Sequence, residues 1–279
     1  MTKYRIIALD LDGTLTRSDK RISARTRDVL IKAQEQGVKV VLASGRPTNG
    51  MAFLADELQM DKFGGTVLAF NGGEITDWST KQVLNQVVLP DTVVPLLYDY
   101  AKSKGFPIMT YCGREIFSEE ADNKYMMQSA FRNRMEIRVV PDFLKATREW
   151  GRLPKCMIVG APDVLETFEQ GMHEYAETQP CFDGIDFFRS EPYYLEIVPK
   201  GIDKGDCLQI VLDHYGFQRE ELIACGDAFN DVSMIRFAGL GVAMGNGQDC
   251  VKQVADYITD SNEADGVANV VEKFMLSAR

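Results

Sequence analysis

The sequence predicts an α/β protein: a doubly wound parallel sheet interrupted by a smaller α+β domain. Three observations predict it. Apolar runs of strand length alternate with helix-patterned segments through the first third of the chain, the same alternation resumes near residue 204, and the stretch between them mixes both patterns on its own. A chain of 279 residues is also long enough to divide into two domains.

The elements follow in order. YRIIAL (residues 4–9) is a continuous apolar run, the pattern of a strand covered on both faces, and Asp10 stands at its carboxyl end. Ser23 can cap a helix through Val29, Leu30 and Ala33, with Gly37 ending it before the strand VKVVLA. A helix from Pro47 to about Leu58 leads to the strand TVLAF and the turn Asn71-Gly72-Gly73, giving three strands in this half. In the C-terminal part a helix over 204–215, the strand ELIAC, a helix after Asn230, the strand GVAM and a closing helix from Gly266 complete the sheet. Residues 84–198 carry a helix after Asp91, the strand KCMIVG, a helix after Pro162 and the strand YYLEIV. The expected division is therefore 1–83 with 199–279 as one domain and 84–198 as the other.

Composition limits the function classes. Hydrophobic residues at 45% and charged residues at 26% fit a folded globular chain. A net charge of −10 without a dense Lys/Arg run argues against nucleic acid as a partner. No window approaches the ~18 consecutive apolar residues of a membrane-spanning helix, and the first residues lack a signal-type apolar core. These features predict a soluble, cytoplasmic protein. The six cysteines are scattered without a CxxC pair and only His173 and His214 are present, so zinc is not expected and the cysteines read as buried small hydrophobes.

Four clusters fall at the carboxyl ends of predicted strands or at helix starts, where open α/β sheets bind ligands. They are Asp10-Leu11-Asp12-Gly13-Thr14, Ser44-Gly45-Arg46, Lys204, and Gly226-Asp227-Ala228-Phe229-Asn230-Asp231. Each has an ordinary reading by itself. DLDGT could be an Asx-type turn, GDAFND and Ser44-Gly45 could be helix caps, and Lys204 could be a solvated surface charge. Together they supply carboxylates for a divalent cation, a carboxylate nucleophile, a cation, a hydroxyl and free amides, the parts of a phosphoryl-transfer site. A calcium loop is excluded, because the twelfth position from Asp10 is Arg21 where a bidentate Glu is required.

In order and spacing these motifs resemble those of the haloacid dehalogenase-like hydrolases. DLDGT resembles the first family motif, Ser44 in VLASGRP the second, Lys204 the third and CGDAFNDVSMIRFAGLGVAM the fourth. The long insertion lies between Ser44 and Lys204, which resembles the Cof-type group and its sugar-phosphate phosphatases, with residues 84–198 as the cap on a Rossmann-like core. The resemblance implies a Mg²⁺-dependent phosphatase acting on small phosphorylated metabolites, as a monomer or homodimer. It implies Asp10 as nucleophile and Asp12 as acid/base. Mg²⁺ would be held by the Asp10 side chain, the Asp12 carbonyl and Asp227, with Asp231 orienting its waters. Lys204, Ser44, Gly45, Asn230 and the Leu11 amide would hold the phosphate oxygens, and Arg46, Asn71, Arg114 and Ser190 are the candidate substrate contacts.

Competing functions separate on simple features. A phosphohexomutase would use Asp10 and Asp12 without releasing inorganic phosphate, and a non-catalytic sensor would bind the same ligands without turnover. A transport ATPase would need membrane helices and resembles the first motif with Thr in place of Asp12. A nicotinamide-binding protein is rejected, because no GxGxxG follows the first strand.

Overall fold

The structure, a computed structural model describing residues 3–276, divides into two compact units, one running to Asn85 and resuming at Asp203, the other Gln86–Ile202. The first unit begins β1 (Ile6–Leu9), α1 (Ala24–Glu35), β2 (Lys39–Ala43), α2 (Thr48–Glu57), the single turn α3 (Met60–Phe63), β3 (Thr66–Ala69), β4 (Glu74–Asp77) and β5 (Val83–Gln86). The inserted unit contains α4 (Val93–Ser103), β6 (Ile108–Cys112), β7 (Glu115–Ser118), α5 (Lys124–Asn133), β8 (Glu136–Val139), α6 (Phe143–Trp150), β9 (Cys156–Val159), α7 (Pro162–Glu177), β10 (Ile185–Glu191) and β11 (Tyr194–Pro199). The first unit then resumes with α8 (Lys204–Tyr215), β12 (Leu222–Gly226), α9 (Val232–Phe237), β13 (Leu240–Ala243), α10 (Asp249–Lys252), β14 (Tyr257–Ile258) and α11 (Gly266–Phe274).

The first unit's sheet has the order β14-β13-β12-β1-β2-β3-β4-β5, parallel from β14 to β3 and antiparallel where β4 joins. The chain winds outward from β1 through β2 and β3 on one side and from β12 through β13 on the other. β1 and β12 therefore adjoin at the switch point, in the register Leu9↔Cys225. Every residue of β1 is fully buried, as a continuous apolar strand between two helix layers must be. The sheet exceeds the three plus two strands expected. β4 (EITD), between β3 and β5, and the edge strand β5 (VLNQ) are partly polar, and the edge strand β14 has only two residues, so none produces the apolar run that marks a central strand.

Local chemistry sets the helix limits. The Ser23 side chain accepts from the Thr26 amide to cap α1, and Pro47 stands at the N-cap of α2. Asp203 caps α8 through the Asp206 amide, and Gly216 ends it in the left-handed conformation that glycine adopts without penalty. α8 packs under the sheet through Leu208, Val211 and Leu212, against Ile6, Ala8 and Val41. That packing holds Lys204, its first residue, at a fixed height relative to β1.

The inserted unit is a six-stranded sheet, β10-β11-β9-β6-β7-β8, antiparallel except between β7 and β8. Its core gathers Val93, Leu97 and Ala101 of α4, Phe143 of α6, and Leu165, Phe168 and Met172 of α7 with Ile108, Cys156, Ile158 and Leu195 of the sheet. Of the cysteines, Cys112, Cys156, Cys207 and Cys225 are buried, Cys181 and Cys250 are half-buried, and all are free thiols. Among the described residues no helix is long and apolar enough to cross a membrane.

Phe143 is fully buried and stacks on Tyr98 at 5.8 Å between ring centroids. Phe143→Ala should destabilise the inserted unit by about 3–5 kcal/mol, the usual cost of emptying an aromatic core position. Chemical denaturation of the whole chain should show a transition shifted to lower denaturant, and an unmoved curve would mean this core is not continuous.

Candidate active site

The switch point brings together side chains far apart in the chain. Asp10 follows β1, where its amide donates to the Cys225 carbonyl at 3.0 Å. Asp227 and Asp231 follow β12, and carboxylate oxygens of Asp10, Asp227 and Asp231 lie within 4.8 Å of one another. Lys204 reaches them from the start of α8, its Nζ donating to Asp10 Oδ1 at 2.6 Å and to Asp231 Oδ1 at 2.7 Å. Lys204 is completely buried, so the surface-charge reading does not apply to it.

The backbone makes room for this crowding. A Cβ on Gly226 would lie 2.4 Å from Asp231 Cβ, so only glycine lets the Asp231 side chain fold back over the end of β12. There Asp231 Oδ2 accepts from the Asp227 and Ala228 amides at 2.9 and 3.0 Å. Gly13 has φ +92°, and a Cβ there would meet Asp227 Oδ2 at 2.4 Å. The tight turn after Asp10 thus requires glycine twice over, for its dihedral and for the carboxylate beside it. Thr14 Oγ1 donates to Asp227 Oδ1 at 2.8 Å and orients that side chain.

Three carboxylates around one ammonium leave an excess of negative charge. Burial pushes the Asp10 carboxyl up to about 8, with Asp231 adding to the rise and Lys204 opposing it. Burial likewise raises Asp227 to about 6 against the Thr14 hydrogen bond. For Lys204 burial works against the charge, but Asp10 and Asp231 outweigh it and raise the pKa. The donor set is oxygen only, without His or Cys, and suits a hard divalent cation. These residues fit a metal ion.

Asp12 stands apart from that cluster. Its carboxylate accepts from Arg46 Nε at 2.9 Å, Arg46 Nη2 at 2.8 Å and Lys20 Nζ at 2.7 Å. Burial acts to raise it, but the Arg46 and Lys20 bonds prevail and hold it below the ordinary carboxylate range. Leu11 is buried, and its carbonyl accepts from the Thr14 and Thr16 amides and the Thr16 hydroxyl, closing the turn.

Ser44 stands just beyond β2, which pairs with β1 in the register Leu9↔Leu42. Its amide donates to Leu68, its carbonyl accepts from Asn71, and its Oγ accepts from the Arg46 amide at 3.2 Å. Gly45 passes close to Asn71, whose side-chain amide would be 3.2 Å from a Cβ there. Asn71, in the left-handed conformation at φ 57°, accepts from Asn230 Nδ2 at 3.2 Å. Of the other candidate substrate contacts, Arg46 is engaged with Asp12, Arg114 is exposed in the turn between β6 and β7 of the inserted unit, and Ser190 of that unit donates to Glu196 Oε1 at 2.6 Å. Sequence reasoning gave Thr14 no role of its own and missed Lys20. Thr14 lies inside the quoted motif, whereas Lys20 is a loop lysine in the left-handed conformation that no spacing rule marks.

An oxygen-only carboxylate cluster with a buried ammonium, at the switch point of a doubly wound sheet, supplies the metal-ligating and charge-stabilising parts that phosphoryl transfer uses. The chain belongs to the haloacid dehalogenase-like hydrolases, whose family model matches residues 7–271. A haloacid dehalogenase-like hydrolase from Bacteroides thetaiotaomicron is 49% identical, with a TM-score of 0.91 over 97% of this chain and 99% of that one. TM0651 from Thermotoga maritima is 29% identical, with a TM-score of 0.87 over 99% and 98%. The 5-amino-6-(5-phospho-D-ribitylamino)uracil phosphatase YitU of Bacillus subtilis is 31% identical over 290 residues, 98% of each chain. The expected enzyme class, a phosphatase of this family, accords with these relatives.

The raised carboxyls have a consequence for pH. Because Asp10 and Asp227 titrate above their unfolded values without metal, their contribution to stability is full in acid and is lost as pH rises through about 6 to 8. A divalent cation favours the ionised forms, so its binding should expel protons and tighten as pH rises over the same interval. Calorimetric titration of the metal-free protein in buffers of different ionisation enthalpy should detect that release. Metal affinity independent of pH would contradict this electrostatic picture.

Proposed function

We propose that the protein is a Mg²⁺-dependent phosphatase that hydrolyses phosphate monoesters of small polyhydroxylated metabolites, sugar or sugar-alcohol phosphates, through an aspartyl-phosphate on Asp10. The observation that carries the proposal is the meeting of Asp10, Asp227 and Asp231 around the buried Lys204 at the switch point. The substrate class rests on the YitU relative, whose name specifies the phosphate ester of a ribityl chain.

The Asp10 side chain, the Asp12 carbonyl and Asp227 would hold Mg²⁺, with Asp231 orienting its waters. The ion supplies positive charge that lets an anionic carboxylate and an anionic phosphate approach each other. Asp10 attacks phosphorus, forming an O–P bond as the bond to the leaving oxygen breaks. Asp12, having taken up a proton from solvent in the substrate complex, gives it to that oxygen. Asp12 then takes a proton from water, which attacks the phosphorylated Asp10, releases inorganic phosphate and restores the carboxylate. Lys204, the Ser44 hydroxyl, the Gly45 and Leu11 amides and Asn230 would hold the remaining phosphate oxygens. The unit Gln86–Ile202 would act as the cap that selects the leaving group and excludes water during turnover. We assign the protein to the cytoplasm.

Phosphate release from a panel of sugar, sugar-alcohol, nucleotide and cofactor phosphates tests the proposal. Release should require Mg²⁺, vanish in Asp10→Asn, and fall about 10²–10³-fold in Lys204→Ala through lost charge stabilisation. Near-normal turnover in either variant would refute these roles, and transfer between sugar hydroxyls without free phosphate would make the protein a mutase.

A further inference from the structure

Resting on the phosphatase reading, we infer that Arg46 is a positioning residue that acts through Asp12 and not a contact for the substrate. The Arg46 side chain is 7% exposed, and its Nε and Nη2 grip both oxygens of the Asp12 carboxylate at 2.9 and 2.8 Å. This fork-on-carboxylate pairing fixes direction as well as distance. Among the described residues no other side chain is bonded to the guanidinium.

The anchor itself is held from behind. The Arg46 amide donates to Ser44 Oγ, and its carbonyl accepts from the Phe70 amide at 3.0 Å. Backbone and side chain are thus both immobilised, the one against Ser44 after β2 and Phe70 after β3, the other on the turn following β1. Lys20, the second cation on Asp12, differs in kind. Its side chain is 52% exposed on a loop, and it touches only Oδ1, which it shares with Arg46. A half-exposed lysine can swing away and free a lone pair of Oδ1, whereas the buried fork cannot without leaving two charges unpaired. Arg46 therefore sets where the Asp12 carboxylate stands while Lys20 yields its place to the leaving oxygen or to water.

A residue acting through the acid/base group should matter most when the leaving group needs a proton. The test compares p-nitrophenyl phosphate, whose leaving group departs unaided, with whichever alkyl phosphate of the panel the wild type turns over fastest, both with Mg²⁺. Arg46→Ala should lower kcat on the alkyl ester about 10²-fold with KM changed less than about threefold, and lower turnover of the aryl ester less than about tenfold. In an Asp12→Ala background the same substitution should cost less than about twofold, because the group through which it acts is gone. Arg46→Lys, which keeps the charge and loses the fork, should recover part of the loss, and both it and Arg46→Gln provide the same readings if the alanine variant does not fold. A tenfold rise in KM with kcat retained, an equal loss on both esters, or an undiminished loss in the Asp12→Ala background would overturn the inference and return Arg46 to substrate binding. Wild-type protein inactive on every ester would instead refute the phosphatase reading itself.

Discussion

The buried Lys204 ammonium, shared between Asp10 and Asp231, is the contact on which the rest of the site depends. Carboxylates this close repel one another, and burial makes that repulsion expensive. One fully enclosed cation offsets part of it and fixes the spacing of what remains. The arrangement needs β1 and β12 as immediate neighbours, because only adjacent parallel strands ending at the same level can present Asp10 and the Asp227–Asp231 turn to a single ammonium. It also needs α8 to begin at Lys204, which the Asp203 cap and the packing of Leu208 and Val211 ensure.

A second constraint separates the charges of the first motif. Asp10 and Asp12 are two residues apart, yet their surroundings differ in sign. Asp10 lies in a buried, predominantly anionic pocket that raises its carboxyl, whereas Asp12 turns toward Arg46 and Lys20, which lower it. The turn at Gly13 makes this divergence possible by carrying the chain past Asp227 at a distance no side chain would tolerate. A divalent cation beside Asp10 would favour its ionised form and so offset the rise that burial and the neighbouring carboxylates produce.

Much of the core was legible in the sequence. Continuous apolar runs marked the central strands, because strands buried on both faces have no reason to alternate. The limits expected for α8, 204–215, hold in the structure, where Asp203 caps its start and Gly216 ends it. The outer strands were not legible. β4, β5 and β14 are short or partly polar and owe their existence to a neighbour whose hydrogen-bonding groups they satisfy. The partners of Asp12 were equally hidden, because Lys20 and Arg46 reach it from different loops and bear no periodic relation to it.

The sequence by itself determined the class of fold, the order of the motifs and the identity of the residues with chemical capacity, because strand pattern, helix caps and residue type are properties of short segments. Only the tertiary structure decided which groups meet. It buried Lys204 between Asp10 and Asp231, aimed Thr14 at Asp227, and bound Arg46 to Asp12. The physical reason is that hydrogen bonds and Coulomb forces act over a few ångströms in space, whereas the residues they join here lie up to 213 positions apart in the chain.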